Sequence, residues 1–201
     1  MRTVLTLALL LATSPLAAQS GNPVDNLTLA DAKSKDPSLV AAAHLTRAER
    51  ALARALRSEE QEVDAEKRAK KARSAYQQAE REATSALASD PGLLRAYLVR
   101  GQARLSLGNA AAAREDCLLA VSHAPGDGEA LFCYGRASLG VGEGGQALTA
   151  YTELRGKAGS AEQAAQLLAE IRTWVDANPQ GEKEQAAARW LEQNLPQGAL
   201  P

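Results

Sequence analysis

The chain is poor in rings. Aromatic residues make up 3% of it, with a single Phe and a single Met, although 45% of its residues are hydrophobic. A core without rings or many β-branched residues is filled mainly by Ala and Leu. That favours helices packed at short range and disfavours sheet, which draws on β-branched and aromatic side chains. Gly and Pro are missing from Ser38 to Ser89, so nothing there interrupts a helix. Charge of one sign is also lacking. There are 23 Lys and Arg against 24 Asp and Glu, and 22 against 24 once Arg2 is lost with a leader, a balance unlike that of a general nucleic-acid binder.

Chemistry-bearing residues are equally scarce. The two histidines, His44 and His123, and the two cysteines, Cys117 and Cys133, show no metal-ligand spacing, and no metal or cofactor is expected. Cys117 and His123 are six residues apart on one helix, on different faces, and make a poor nucleophile–base pair. No Gly-Lys-Ser/Thr is present, which excludes a P-loop. Gly140 to Gly145, "GVGEGG", has the spacing of a dinucleotide loop, but a helix precedes it where that motif needs a strand. The chain reads as a non-enzyme.

What is there begins with "MRTVLTLALLLATSPLAAQS". Arg2, a short apolar run and Leu16-Ala17-Ala18 have the layout of a signal peptide over 1–18, with cleavage after Ala18 or, second, Ser20. The run is shorter than the roughly 20 residues a spanning helix needs, and no later segment qualifies. The mature protein is therefore expected outside the cytoplasm, periplasmic or secreted. Residues 19–36 are polar and read as a linker.

From 37 to 88 the sequence predicts helix, as one rod or two. Asp36-Pro37-Ser38 marks a start, and Ser58-Glu59-Glu60-Gln61 resembles a capping box that opens a second helix. The cations Lys67, Arg68, Lys70, Lys71 and Arg73 follow a cluster of acids. They read first as a solvated face with Asp64–Arg68 and Glu66–Lys70 pairs, and second as a basic patch for an acidic partner.

A period of 34 residues then appears. Pro91 and Pro125 keep that step, as do Gly101 and Gly135, Gly108 and Gly142, and Ala79, Ala113 and Ala147. Ala86, Ala120 and Leu154 follow it too, and Cys117 answers Tyr151. Such a period signals stacked helix pairs. Gly101 and Gly135 would sit inside a first helix where another backbone packs close, and Gly108 and Gly142 would close its end in a left-handed conformation.

These columns resemble the tetratricopeptide repeat family, whose units are helix-turn-helix pairs. The resemblance covers two units over 89–156, with a half unit, "YQQAEREATSALASDPG", closing the helical region before them. Arg100 and Cys117 depart from the family pattern, and Gly144-Gly145 weaken a helix start. Two further helices over 157–201 read as caps. One opens at the capping box Ser160-Ala161-Glu162-Gln163, and the other spans about Glu182 to Asn194.

The resemblance implies an all-α array that binds a protein or peptide in a groove lined by its first helices. Carried over, the groove positions are Arg95, Leu98, Gln102 and Leu105, then Glu129, Phe132, Arg136 and Leu139. The Lys/Asn set that clamps a C-terminal carboxylate in some members is not reproduced. The competing reading of the apolar positions is ordinary core, buried by the tail helices. At the level of the whole chain the alternative is a structural, self-associating helical protein with an empty groove.

Cys117 and Cys133 lie at similar distances on either side of Pro125-Gly126. At about 1.5 Å per residue they should reach similar heights on neighbouring antiparallel helices. An exported setting permits a disulfide there. Two separate, partly buried thiols remain the alternative, since Cys133 leans toward the groove.

Overall fold

The computed structural model describes residues 36–195; the expected leader and all of the expected linker except Asp36 lie outside them. The described residues form eight helices and no strand: α1 (Pro37–Gln61), α2 (Ala65–Ser89), α3 (Leu94–Ser106), α4 (Ala110–His123), α5 (Gly128–Gly140), α6 (Gly144–Arg155), α7 (Ala161–Ala177) and α8 (Glu182–Asn194). They divide into two compact units, one ending at Ala96 and the other beginning at Tyr97.

The first unit is built on a hairpin of two 25-residue helices, each about 37 Å long. Its seam is alanine. Ala48, Ala51 and Ala55 of α1 and Ala75, Ala79, Ala83 and Ala86 of α2 are all buried, and small side chains let the axes approach. Asp36 starts α1, its carboxylate accepting from the Ser38 N–H at 2.9 Å.

The break between α1 and α2 falls at Glu62–Asp64, not at Ser58. Asp64 caps α2, accepting from the N–H groups of Glu66 and Lys67 at 3.0 Å each. The Ser58 hydroxyl instead donates back to the Arg54 carbonyl within α1. A single acid that caps two orphan donors thus ends the rod without Gly or Pro. The expected Asp64–Arg68 pair is replaced by this cap and by a Lys67–Asp64 contact of 3.7 Å.

In the second unit the 34-residue step becomes packing. Gly108 and Gly142 have φ of +84° and +75°. In both turns the third residue past the helix reaches back to the same carbonyl column: Asn109 N–H to Arg104 O, and Glu143 N–H to Ser138 O, each at 2.8 Å. A β-carbon on Gly101 would lie 3.1 Å from Cys133 Sγ, and one on Gly135 would lie 2.5 Å from Leu167 Cδ2. Cys133 and Leu167 are themselves 34 apart. Ala130 and Ala164, both buried, keep that step as well. By phase, α7 is therefore a third first helix, a continuation that the sequence reading took for a cap.

At 17 residues α7 outruns the 13 of α3 and α5, so α8 falls out of phase. It packs on α6 and α7, with Ala187 buried and Trp190 edge-on to Tyr151 at 6.4 Å. The box at Ser160 does not form. Ser160 makes no side-chain cap and is buried, its hydroxyl packed against Gly128. Gly144 opens α6 without a side-chain cap, and the Trp174 ring occupies the space that a β-carbon there would need.

Candidate functional site

The first helices carry the expected groove residues, but the apolar ones do not line an open surface. Leu98 is 2% exposed and Phe132 7%. Phe132 belongs to one core with Leu131, Leu148, Tyr151, Leu167 and Ile171. For Phe132 the reason is α7: because it continues the array, it packs on α5 as well as α6, and its Leu167 and Ile171 share the core with Phe132. Leu105 and Leu139 are half-buried, and Leu139 packs against the same core.

The polar groove residues pair with one another above this floor. Gln102 Nε2 donates to Glu129 Oε1 at 3.0 Å, joining α3 to α5. Arg136 Nε donates to Glu170 Oε2 at 2.9 Å, joining α5 to α7, and Gln166 reaches the other oxygen of Glu170 at 3.3 Å. The Arg136 guanidinium also lies over the Phe132 ring, 5.5 Å from its centre. Gln102, Arg136 and Glu170 occupy one column of the repeat. Arg95 falls in the first unit, where its Nε donates to Glu49 at 2.8 Å. Glu170 and Gln166 were invisible as site residues because α7 was not read as a repeat.

Beneath α3 lies a second group that the sequence reading missed. Asp116 is 2% exposed, and Arg100 grips it with two bonds, Nη2 to Oδ1 at 2.7 Å and Nε to Oδ2 at 3.0 Å. Arg104 Nη1 adds a third, to Oδ2 at 2.8 Å. Arg100, which departs from the family pattern, is thus half of a buried pair between α3 and α4. The next repeat replaces Arg100, Arg104 and Asp116 by Tyr134, Ser138 and Ala150, so the pair belongs to one layer. The group ties α3 to α4 from within the buried interior.

The structure joins Cys117 and Cys133 by a disulfide, with Cα atoms 5.6 Å apart, linking α4 to α5. Both cysteines are at most 2% exposed, and Gly101 abuts both sulfur atoms. His44 Nδ1 lies 2.7 Å from Glu82 in the hairpin, and His123 ends α4 against the Tyr97 ring at 6.0 Å. Among the described residues no cluster of His, Cys, Asp and Glu could hold a metal ion, and no helix is long and apolar enough to cross a membrane.

An open cleft of about 810 Å³ lies between α6 and α8, lined by Leu148, Thr152, Trp190 and Asn194. The Lys183–Glu143 ion pair, 2.9 Å, stands at its edge. The hydrogen bond from Lys183, then its charge, lowers the Glu143 pKa below the ordinary 4.5.

No family model matches the chain, and no curated protein matches it. Among solved structures, the TPR domain of Arabidopsis OM64 is similar at 19% identity, over 75% of this chain and 98% of that one, with a TM-score of 0.32. At that identity and score the likeness adds nothing to the repeats read from the chain itself.

Proposed function

We propose that the chain is a non-enzymatic protein-interaction module working outside the cytoplasm, which holds a peptide or partner helix on the first-helix face of its second unit. The observation that carries this reading is the row of polar groups fixed above a buried floor. Gln102–Glu129 and Arg136–Glu170 present amide, guanidinium and carboxylate in set positions on successive first helices. Groups ordered beforehand lose little freedom when a ligand binds. Recognition here is polar, with half-buried Leu105 and Leu139 adding apolar contact, in place of the open apolar anchors expected of Leu98 and Phe132.

The location is supported by the leader pattern and by the Cys117–Cys133 bond, which suits an oxidising compartment. N-terminal sequencing of exported protein should read from Gln19, and retention of Met1 would remove this part of the proposal.

A photo-crosslinking residue placed at Leu105 or Leu139 should trap one discrete partner in the native compartment. The same residue at Leu118, on α4, should not. Equal trapping from all three positions would sink the assignment of the face. Adducts of the chain with itself alone would favour the structural, self-associating reading.

A further inference from the structure

Lys183 meets Glu143 at 2.9 Å, and seven residues further along α8 Trp190 meets Tyr151, eight residues beyond Glu143. Helices α6 and α8 therefore run in the same direction along the cleft between them. Glu143 and Lys183 line one end of it. Glu153 and Asn194, ten and eleven residues on, line the other, about 15 Å away at about 1.5 Å per residue.

The middle of the cleft is apolar, lined by Leu148, Ala186, Ala187 and half-buried Trp190. Thr149 and Thr152 line it too, but their hydroxyls donate to the Gly145 and Leu148 carbonyls of their own helix, at 3.1 and 2.8 Å. The Trp190 indole N–H donates to none of the described residues.

The two ends differ in chemistry. At the first, Glu143 takes the Lys183 charge. The second offers acceptors. The Glu153 carboxylate is exposed and pairs with none of the described cations. Asn194 donates its side-chain amide to the Trp190 carbonyl at 2.8 Å, which leaves its side-chain oxygen to accept. Both helices also end here, and helix C-termini favour cations. Neighbouring charge does not cancel this. Over 143–155 and 182–194 stand five acids, Glu143, Glu153, Glu182, Glu184 and Glu192, against three cations. Of the cations, Lys183 is paired, Arg155 lies over the Tyr151 ring at 5.9 Å, and Arg189 does not line the cleft.

We propose that this cleft is a second binding site, which takes an extended peptide of a partner protein with apolar side chains followed by a lysine or arginine. A length of about 15 Å holds four or five residues of extended chain. The apolar side chains cover Leu148 and Trp190, a peptide carbonyl accepts from the indole N–H, and the cation meets Glu153 and Asn194. The cleft is open, whereas small-molecule pockets bury most of their ligand. The Arg136–Glu170 pair of the first-helix face does not line it.

The test uses the full mature chain and the peptide Leu-Ser-Leu-Ser-Lys, with an uncharged dye at its start and an amide at its end, read by fluorescence anisotropy. It should bind about tenfold or more tightly than the same peptide ending in glutamate. Glu153→Lys, at an exposed position, should reverse that order. Ala186→Phe, also at an exposed position, fills the cleft and should abolish binding of both. Arg136→Glu should change neither, which separates this site from the face proposed above. No binding by the parent chain, no preference between the peptides, the same preference in Glu153→Lys, full binding by Ala186→Phe, or loss of binding in Arg136→Glu would each overturn the proposal. So would a dimer of the parent chain that Ala186→Phe dissociates, because the cleft would then belong to a second copy.

Discussion

Arg100 holds Asp116 by two hydrogen bonds, of 2.7 and 3.0 Å, at a site where the carboxylate is 2% exposed. Removing the acid alone strands two arginines that are 16% and 20% exposed. Asp116→Ala should therefore cost about 3–5 kcal/mol in urea unfolding. Arg100→Leu combined with Asp116→Leu should cost less, because it deprives only Arg104, 20% exposed, of its carboxylate and fills the rest of the site with apolar side chains. A double variant as unstable as the single one would show that the charge pair itself carries the stability.

Gly101 lies against the disulfide so closely that a methyl group there would sit 2.8 Å from Cys117 Sγ. Gly101→Ala should cost about 1–3 kcal/mol by overpacking. Replacing both cysteines by alanine should cost about 3 kcal/mol for a loop of this length. In that background Gly101→Ala should cost less than in the parent, since the obstructing sulfur atoms are gone. Strict additivity in denaturant melts would contradict the contact.

Phe132→Ala should lower stability by about 3–5 kcal/mol, the range for a large side chain removed from a packed core. Phe132→Asp should be worse, with a carboxylate buried among Leu131, Leu148 and Tyr151. An unchanged melting temperature for either variant would restore the open groove.

The Glu143–Lys183 pair makes stability depend on acid pH. The folded-state pKa of Glu143 is depressed by the hydrogen bond from Lys183. Its contribution is thus fully present above the unfolded value, near 4.5, and is lost as pH falls through the depressed folded value. Carboxyl NMR titration should place the Glu143 midpoint below 4.5 in the parent and move it upward in Lys183→Ala. A midpoint that ignores the lysine would refute the pairing.

Where local chemistry decides, the sequence was legible. The columns at Gly108 and Gly142 announced left-handed turns because any other residue pays for a positive φ. Gly101 and Gly135 announced close packing because a glycine inside a helix costs stability without it. The hairpin break was misplaced because Ser58 and Asp64 both look like caps, and only one can have the orphan N–H groups of a new helix in front of it.

The candidate site was legible by position and not by exposure. Gln102, Glu129 and Arg136 do lie on the first-helix face, whereas Leu98 and Phe132 lie beneath it. For Phe132 the difference is made by the third first helix. Its columns are legible only after Ala164 and Leu167 are seen to continue Ala130 and Cys133, and nothing local to α7 says so.

The sequence by itself determined the all-helical class, the 34-residue step and the turns that realise it. Each rests on the conformational preference of single residues and on spacing along one helix. Only the tertiary structure decided that Arg100 meets Asp116, that Phe132 is core, and that Arg54 meets Gln78 across the hairpin. Those facts depend on which helix faces come together. That choice is made by burial of alanine and leucine over the whole chain, and hydrophobic burial has no direction that a local pattern could reveal.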